Sequence, residues 1–159
     1  NPVKAVADLL IDTTGLSVHQ LRKQLLQLFG PENPGDALQV SLISFGFKHG
    51  VPLDVDMVFD MRFLPNPHWV EDLRPLSGLD EQVKDFVLQQ DLAMEFLDHL
   101  ESLLQLIVPA YVTEGRSYLT LGIGCTGGRH RSVAMTEELS RRLLSHGHHP
   151  RISHRDINL

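Results

Sequence analysis

Apolar positions along the chain change period from two to about three and a half and back. Leu38-Gln39-Val40-Ser41-Leu42-Ile43-Ser44 alternates apolar and polar residues and predicts a strand, as does the shorter Asp56-Met57-Val58-Phe59-Asp60. Tyr118-Leu119-Thr120-Leu121-Gly122-Ile123 has the β-branched, aromatic and apolar content of a buried strand, and Arg151-Ile152-Ser153 predicts a short last one. Between them the spacing becomes helical. From Gly78 to Val112 a helical stretch is predicted, with Asp80 as cap and Val83, Phe86 and Val87 on one face. A break at Gln89-Gln90-Asp91 precedes Leu92, Phe96, Leu100, Leu103 and Leu104, and Pro109 is expected to kink or end the helix. Val133, Leu139, Leu143 and Leu144 share another helical face, leaving Glu137, Glu138, Arg141 and Arg142 to solvent. Near the start, Ser17 and Gln20 have capping-box spacing, followed by Leu21, Leu25 and Leu28 and a stop at Gly30-Pro31.

Strands that alternate with helices predict an α/β fold with a single mixed or parallel sheet flanked by helices, preceded by a helical appendage. The turn-forming segment Gly30-Pro31-Glu32-Asn33-Pro34-Gly35-Asp36 places the linker. Residues 1–36 are thus read as helix and linker from an upstream domain, and 37–159 as the α/β domain. A chain of 159 residues with 42% hydrophobic and 21% charged residues suits one compact domain. Its single cysteine, Cys125, excludes an internal disulfide framework and points to a reducing, cytoplasmic setting. No apolar run reaches the ~18 residues of a membrane span, and no leader is apparent, so no membrane partner is expected. The opening Asn1-Pro2-Val3 has no initiator methionine, and a fragment of a longer protein is expected. A net charge of −6 argues against a protein built mainly to hold nucleic acid. Yet from Arg129 onward six arginines face three carboxylates, so the C-terminal end is basic.

The chemistry concentrates in Gly124-Cys125-Thr126-Gly127-Gly128-Arg129-His130-Arg131-Ser132, between a predicted strand and a predicted helix. A glycine-rich turn at a helix N-terminus aims backbone N–H groups at one point, backed by the positive end of the helix dipole. Arg129, His130 and Arg131 add donors there, although the dipole disfavours cations, a conflict that a bound phosphate removes. A merely connecting turn is the plain alternative. A second constellation, Asp60-Met61-Arg62-Phe63-Leu64-Pro65-Asn66-Pro67-His68-Trp69, starts at a strand end, where α/β sheets bind ligands, so the two loops are expected to share a crevice. Pro65 and Pro67 would fix the bearing of Arg62, Asn66 and His68. The competing reading has Phe63, Leu64 and Trp69 plug the core while the polar residues are solvated, with His68 a hydrogen-bonded structural histidine. Lys48 and His49 follow a strand too and either turn the chain or face the crevice.

His146, His148 and His149 lie beside Gly147 and Pro150 without a carboxylate or thiolate cluster, so a solvated turn is favoured over zinc and no metal is expected. Gly122-x-Gly124-x-x-Gly127 lacks the downstream acid of a dinucleotide site, and no Walker A sequence is present. Two classes of function remain. Cys125 and Arg131 followed by Ser132 match the Cys-x5-Arg-Ser/Thr arrangement of protein tyrosine phosphatases, with Cys125 as nucleophile. Against this, Gly124 replaces the usual preceding histidine, and nothing singles out Asp60, Asp72 or Asp80 as general acid.

The second class is a non-catalytic binding domain. The Asp60–Trp69 and Ile123–Val133 motifs, with Ser44-Phe45-Gly46-Phe47-Lys48-His49-Gly50 and Leu73-Arg74-Pro75-Leu76-Ser77-Gly78, resemble the C-terminal domain of the bacterial RapZ/YvcJ family from about Leu38 to Asp156. Asp12-Thr13-Thr14-Gly15-Leu16 resembles the segment that precedes this domain in the family. The resemblance implies a phosphofructokinase-like α/β subdomain that helps form homo-oligomers, with ATP or GTP held by a separate N-terminal domain and no cofactor in this one. It implies a sensor of glucosamine-6-phosphate and an adapter presenting small regulatory RNA to an endoribonuclease, controlling amino-sugar synthesis. The sugar phosphate would be held by Thr126, Gly127, Gly128, Arg131, His68, Asn66 and Arg62, with Arg129, His130 and Ser132 beside them. RNA contacts would fall to Lys48, His49, Arg151 and Arg155, although Ser153-His154-Arg155-Asp156-Ile157-Asn158-Leu159 differs from the family's basic tail.

Overall fold

A computed structural model describes residues 10–29 and 38–159. The chain divides into two compact units, Asn1–Glu32 and Asn33–Leu159. In the first, an Asx turn from Asp12 to Thr14 leads to α1 (Val18–Phe29). Its capping box is formed as the spacing predicts: Gln20 N–H donates to Ser17 Oγ at 3.2 Å, and Ser17 N–H to Gln20 Oε1 at 2.8 Å. The predicted stop at Gly30-Pro31, the linker and the 36/37 boundary lie outside the described residues.

The second unit runs β1 (Gln39–Gly46), β2 (Met57–Asp60), α2 (Glu81–Leu88), α3 (Asp91–Glu114), β3 (Tyr118–Cys125), α4 (Arg131–Ser145) and β4 (Arg151–His154). The four strands form one all-parallel sheet in the order β2-β3-β1-β4, flanked by α2, α3 and α4. Val40 and Leu42 of β1 and Leu119, Leu121 and Ile123 of β3 point into the core, where they meet Val83, Val87, Leu97, Leu100, Leu104, Met135 and Leu139. The strand alternation is thus the cause of the layering: the apolar positions of the two central strands, β1 and β3, are buried under helices. No helix among the described residues is long and apolar enough to cross a membrane.

Two helix ends differ from expectation. The N–H groups of Val83 and Lys84 do bond to Asp80, but through its backbone carbonyl; its carboxylate instead accepts Ser77 N–H and Oγ–H, closing the preceding turn. Helix α3 continues through Pro109 and ends at Gly115, which takes the left-handed conformation (φ 90°). Pro109 is exposed, so the carbonyl left without a partner one turn earlier can face water, and Thr113 Oγ–H caps the Pro109 carbonyl at 3.0 Å.

The edge strand β4 is fastened by a polar chain. Ser44 Oγ, fully buried, meets His154 Nδ1 at 2.8 Å, and His154 Nε2 meets Glu137 Oε1 of α4 at 2.9 Å. His154→Ala orphans the Ser44 hydroxyl and should destabilise the domain by about 1–3 kcal/mol in urea unfolding. Adding Ser44→Ala should recover part of that loss, because no buried hydroxyl then lacks a partner.

Candidate functional site

Three strands end side by side. Asp60 of β2 is in register with Gly124, and Gly46 of β1 with Cys125. From β1 the chain crosses to β2 beyond β3; from β3 it crosses through α4 to β4 beyond β1. Neighbouring strands whose chains depart in opposite directions leave a crevice between their carboxyl ends. Here that crevice is a cavity of about 370 Å³, within the range of small-molecule sites.

Its floor is the turn from Cys125 to Arg131. Thr126 O accepts Lys48 N–H at 3.1 Å, which joins the turn to the loop after β1. Gly128 has φ +79° and lies against Gly46 so closely that a Cβ would come within 2.5 Å of the Gly46 nitrogen. Its N–H donates to Cys125 Sγ at 3.3 Å, and that sulfur also meets Ser132 Oγ at 3.1 Å. Gly46 N–H is held by the buried Asp156 carboxylate at 2.7 Å. Arg155 and the Gly46 amide keep Asp156 ionised against its burial, so its pKa lies below the usual carboxylate value.

Arg131 opens α4 and is 4% exposed. It donates to the carbonyls of Arg62 (3.2 Å) and Leu64 (2.9 Å) and to Thr126 Oγ1 (3.2 Å), while its Nε has no partner. None of these acceptors carries charge, so the buried guanidinium is uncompensated by hydrogen-bonded carboxylates; burial lowers its pKa, and the nearby Cys125 sulfur first and Asp60 second offset part of that. His130, 8% exposed, has an Nε2 without a partner. Burial is also the main reason its pKa falls below the ordinary histidine value. The cavity wall carries Lys48, His49, His68, Arg74, Arg129, His130 and Arg131, and no Asp or Glu side chain among the described residues. A helix N-terminus, a buried guanidinium with one unpartnered nitrogen and an orphaned imidazole nitrogen converge; the chemistry they fit is an oxyanion.

The structure brings Asn66, His68, Thr126, Gly127, Arg129, His130 and Arg131 to one cavity, with Lys48 and His49 beside them. Three other predicted residues stand behind its surface. Arg62 is engaged by Asp60 in a two-point ion pair and lies 4.2 Å over the Phe47 ring, so it contributes its carbonyl to Arg131 rather than its charge to the cavity. Gly128 shapes the turn, and Ser132 is buried on Cys125. Arg129 reaches the wall, but its guanidinium ties the carbonyls of Leu76 (3.0 Å), Pro75 (2.9 Å) and Ile157 (3.2 Å). Arg155 is bound to Asp156 and to Gly50 O, while Arg151 is exposed at the start of edge strand β4. The residues missed as site residues are Arg74, Trp69 and Leu159. Arg74 follows the proline-stiffened loop and donates to His68 O at 3.0 Å; its place in a quoted motif was the available signal.

Comparison with known proteins agrees with the motifs. Residues 38–158 match the family model described as the RapZ C-terminal domain. The chain is 54% identical over 151 residues to a nucleotide-binding protein of Nocardioides sp., covering 95% of this chain and 50% of that protein. It is 54% identical over 151 residues to one of Trichlorobacter lovleyi, covering 95% and 53%, and 53% identical over 152 residues to one of Streptomyces coelicolor, covering 95% and 50%. The chain spans about half the length of these curated relatives. With the anion turn, the Asp60–Trp69 loop and the sheet that aligns them all inside the matched segment, this chain belongs to the RapZ family through its C-terminal domain.

Proposed function

We propose that this domain is a regulatory sensor that binds a sugar phosphate of the glucosamine-6-phosphate type and does not turn it over. The observation that carries the reading is the pair of unsatisfied buried groups, Arg131 Nε and His130 Nε2, beside the Thr126-Gly127 amides. A phosphate there supplies the missing acceptor and the missing negative charge. Asn66, whose Oδ1 already accepts His68 N–H at 3.3 Å, keeps its amide NH2 for the sugar, together with His68. Small RNA presented to an endoribonuclease is part of the same reading, with Lys48 and His49 at the cavity and Arg151 outside it; homo-oligomers, a cytoplasmic setting and a nucleotide site confined to the other half of the relatives complete it.

One feature favours a second reading: Cys125 Sγ accepts the Gly128 amide and meets Ser132, as a phosphatase nucleophile would. Isothermal titration with glucosamine-6-phosphate, glucosamine and inorganic phosphate tests the first reading, and hydrolysis of p-nitrophenyl phosphate tests the second. A sensor binds the sugar phosphate most tightly, is inert toward p-nitrophenyl phosphate and keeps its ligand in Cys125→Ser. Hydrolysis lost in Cys125→Ser overturns it.

His130 adds a pH signature. Burial holds its folded pKa below the unfolded value, so the ligand-free fold binds fewer protons than the unfolded chain as pH falls below about 6.5, and stability declines in that range. A phosphate at Nε2 favours the imidazolium and raises that pKa. Relative to His130→Gln, binding near pH 6 should therefore take up additional protons, seen as a difference between the two proteins in buffer-dependent titration enthalpy. The phosphate, with a second pKa of about 6, exchanges protons in both.

A further inference from the structure

We infer that Trp69 is the specificity platform of the site, against which the ring of a phosphorylated hexopyranose is laid while its phosphate occupies the Thr126–Arg131 turn. This rests on the sugar-phosphate reading and adds the residue and the ligand face that would discriminate a sugar phosphate from phosphate alone. Trp69 is the chain's single tryptophan, lines the cavity and is 78% exposed. Other large apolar residues are exposed, but of those only Trp69 and Leu159 border the cavity.

Its exposure is not looseness. Pro67–Trp69 forms a 3-10 turn in which Trp69 N–H donates to Asn66 O at 3.1 Å and Val70 N–H to Pro67 O at 3.0 Å. Asn66 Oδ1 accepts His68 N–H and Arg74 Nε–H donates to His68 O, so both flanks of the turn are fixed. The indole meets His68 edge-on at 78°, an arrangement that leaves at least one broad face bare at this exposure. A rigid backbone thus holds an unburied aromatic face beside an oxyanion site whose wall contains no Asp or Glu side chain among the described residues. A pyranose offers the complement: C–H groups for the indole and hydroxyls for Asn66 and His68. Holding the platform in place beforehand lowers the entropy lost on binding.

The test compares the unaltered chain with Trp69→Ala and Trp69→Phe by titration with glucosamine-6-phosphate and with inorganic phosphate. Trp69→Ala should weaken the sugar phosphate by about five- to tenfold, leave inorganic phosphate within about twofold, and be largely rescued by Trp69→Phe. Emission of the only tryptophan should respond to the sugar phosphate and not to inorganic phosphate. Unchanged sugar-phosphate affinity in Trp69→Ala, or an equal loss for both probes, overturns the platform. Equal affinity of the unaltered chain for both probes overturns it too, while leaving an anion turn; failure to bind either overturns the site reading as well.

Discussion

Arg131→Met is expected to weaken glucosamine-6-phosphate at least tenfold, and toward a hundredfold, while the fold survives. A charge-assisted hydrogen bond is worth about 1.5–3 kcal/mol, and Arg131 is the buried cation at the turn. Stability should move little, because a buried charge with no hydrogen-bonded carboxylate is costly to keep. Methionine fills much of the same volume and removes that cost, offsetting the donors lost to the carbonyls of Arg62 and Leu64. Arg131→Lys should rescue poorly, since one ammonium cannot span two carbonyls, Thr126 Oγ1 and a ligand as the planar fork does. Titration and thermal unfolding of the two variants decide the matter. Full affinity in Arg131→Met would remove Arg131 from the site.

Gly128→Ala is expected to cost the most stability. The residue has φ +79°, where an L side chain is strained by about 1–2 kcal/mol, and its Cβ would lie 2.5 Å from the Gly46 nitrogen. Gly46 cannot withdraw: it is paired to Cys125 in the sheet and its N–H is held by Asp156. Overpacking against fixed backbone brings the total to about 3–4 kcal/mol, a melting point lower by roughly 10 °C. Gly127→Ala is the control one residue away. Nothing lies within 4 Å of its Cβ, so stability should change by less than about 1 kcal/mol.

That contrast shows which parts of the molecule local sequence reveals. Strands β1 and β3, the turn between β3 and α4, and the break before Asp91 were readable because each depends on residues within one stretch. The convergence of Asn66, His68 and Arg131 was readable in outline, since strand ends in parallel sheets collect ligands. How each cation is used was not. Arg62, Arg129 and Arg131 look alike as sequence, yet one is spent on a carboxylate two residues away, one on distant carbonyls, and one is left with an open nitrogen. The last two roles depend on partners far along the chain, while the passage of α3 through Pro109 depends on its exposure, which makes a lost hydrogen bond tolerable.

The strand order carries a kinetic consequence. Met57 pairs with Leu121, Gln39 with Tyr118 and Ser41 with Arg151, so no two neighbouring strands of this sheet are joined by a hairpin. Every ladder must close a long loop, which places the domain among slow folders and delays the sheet until distant segments meet. The turn at residues 126–131 is completed only by those meetings, because its partners come from the loop after β1, from the loop after β2 and from the chain after β4. Ligand should therefore act on the unfolding limb of the chevron: saturating sugar phosphate slows escape from the native state and leaves the refolding rate nearly unchanged.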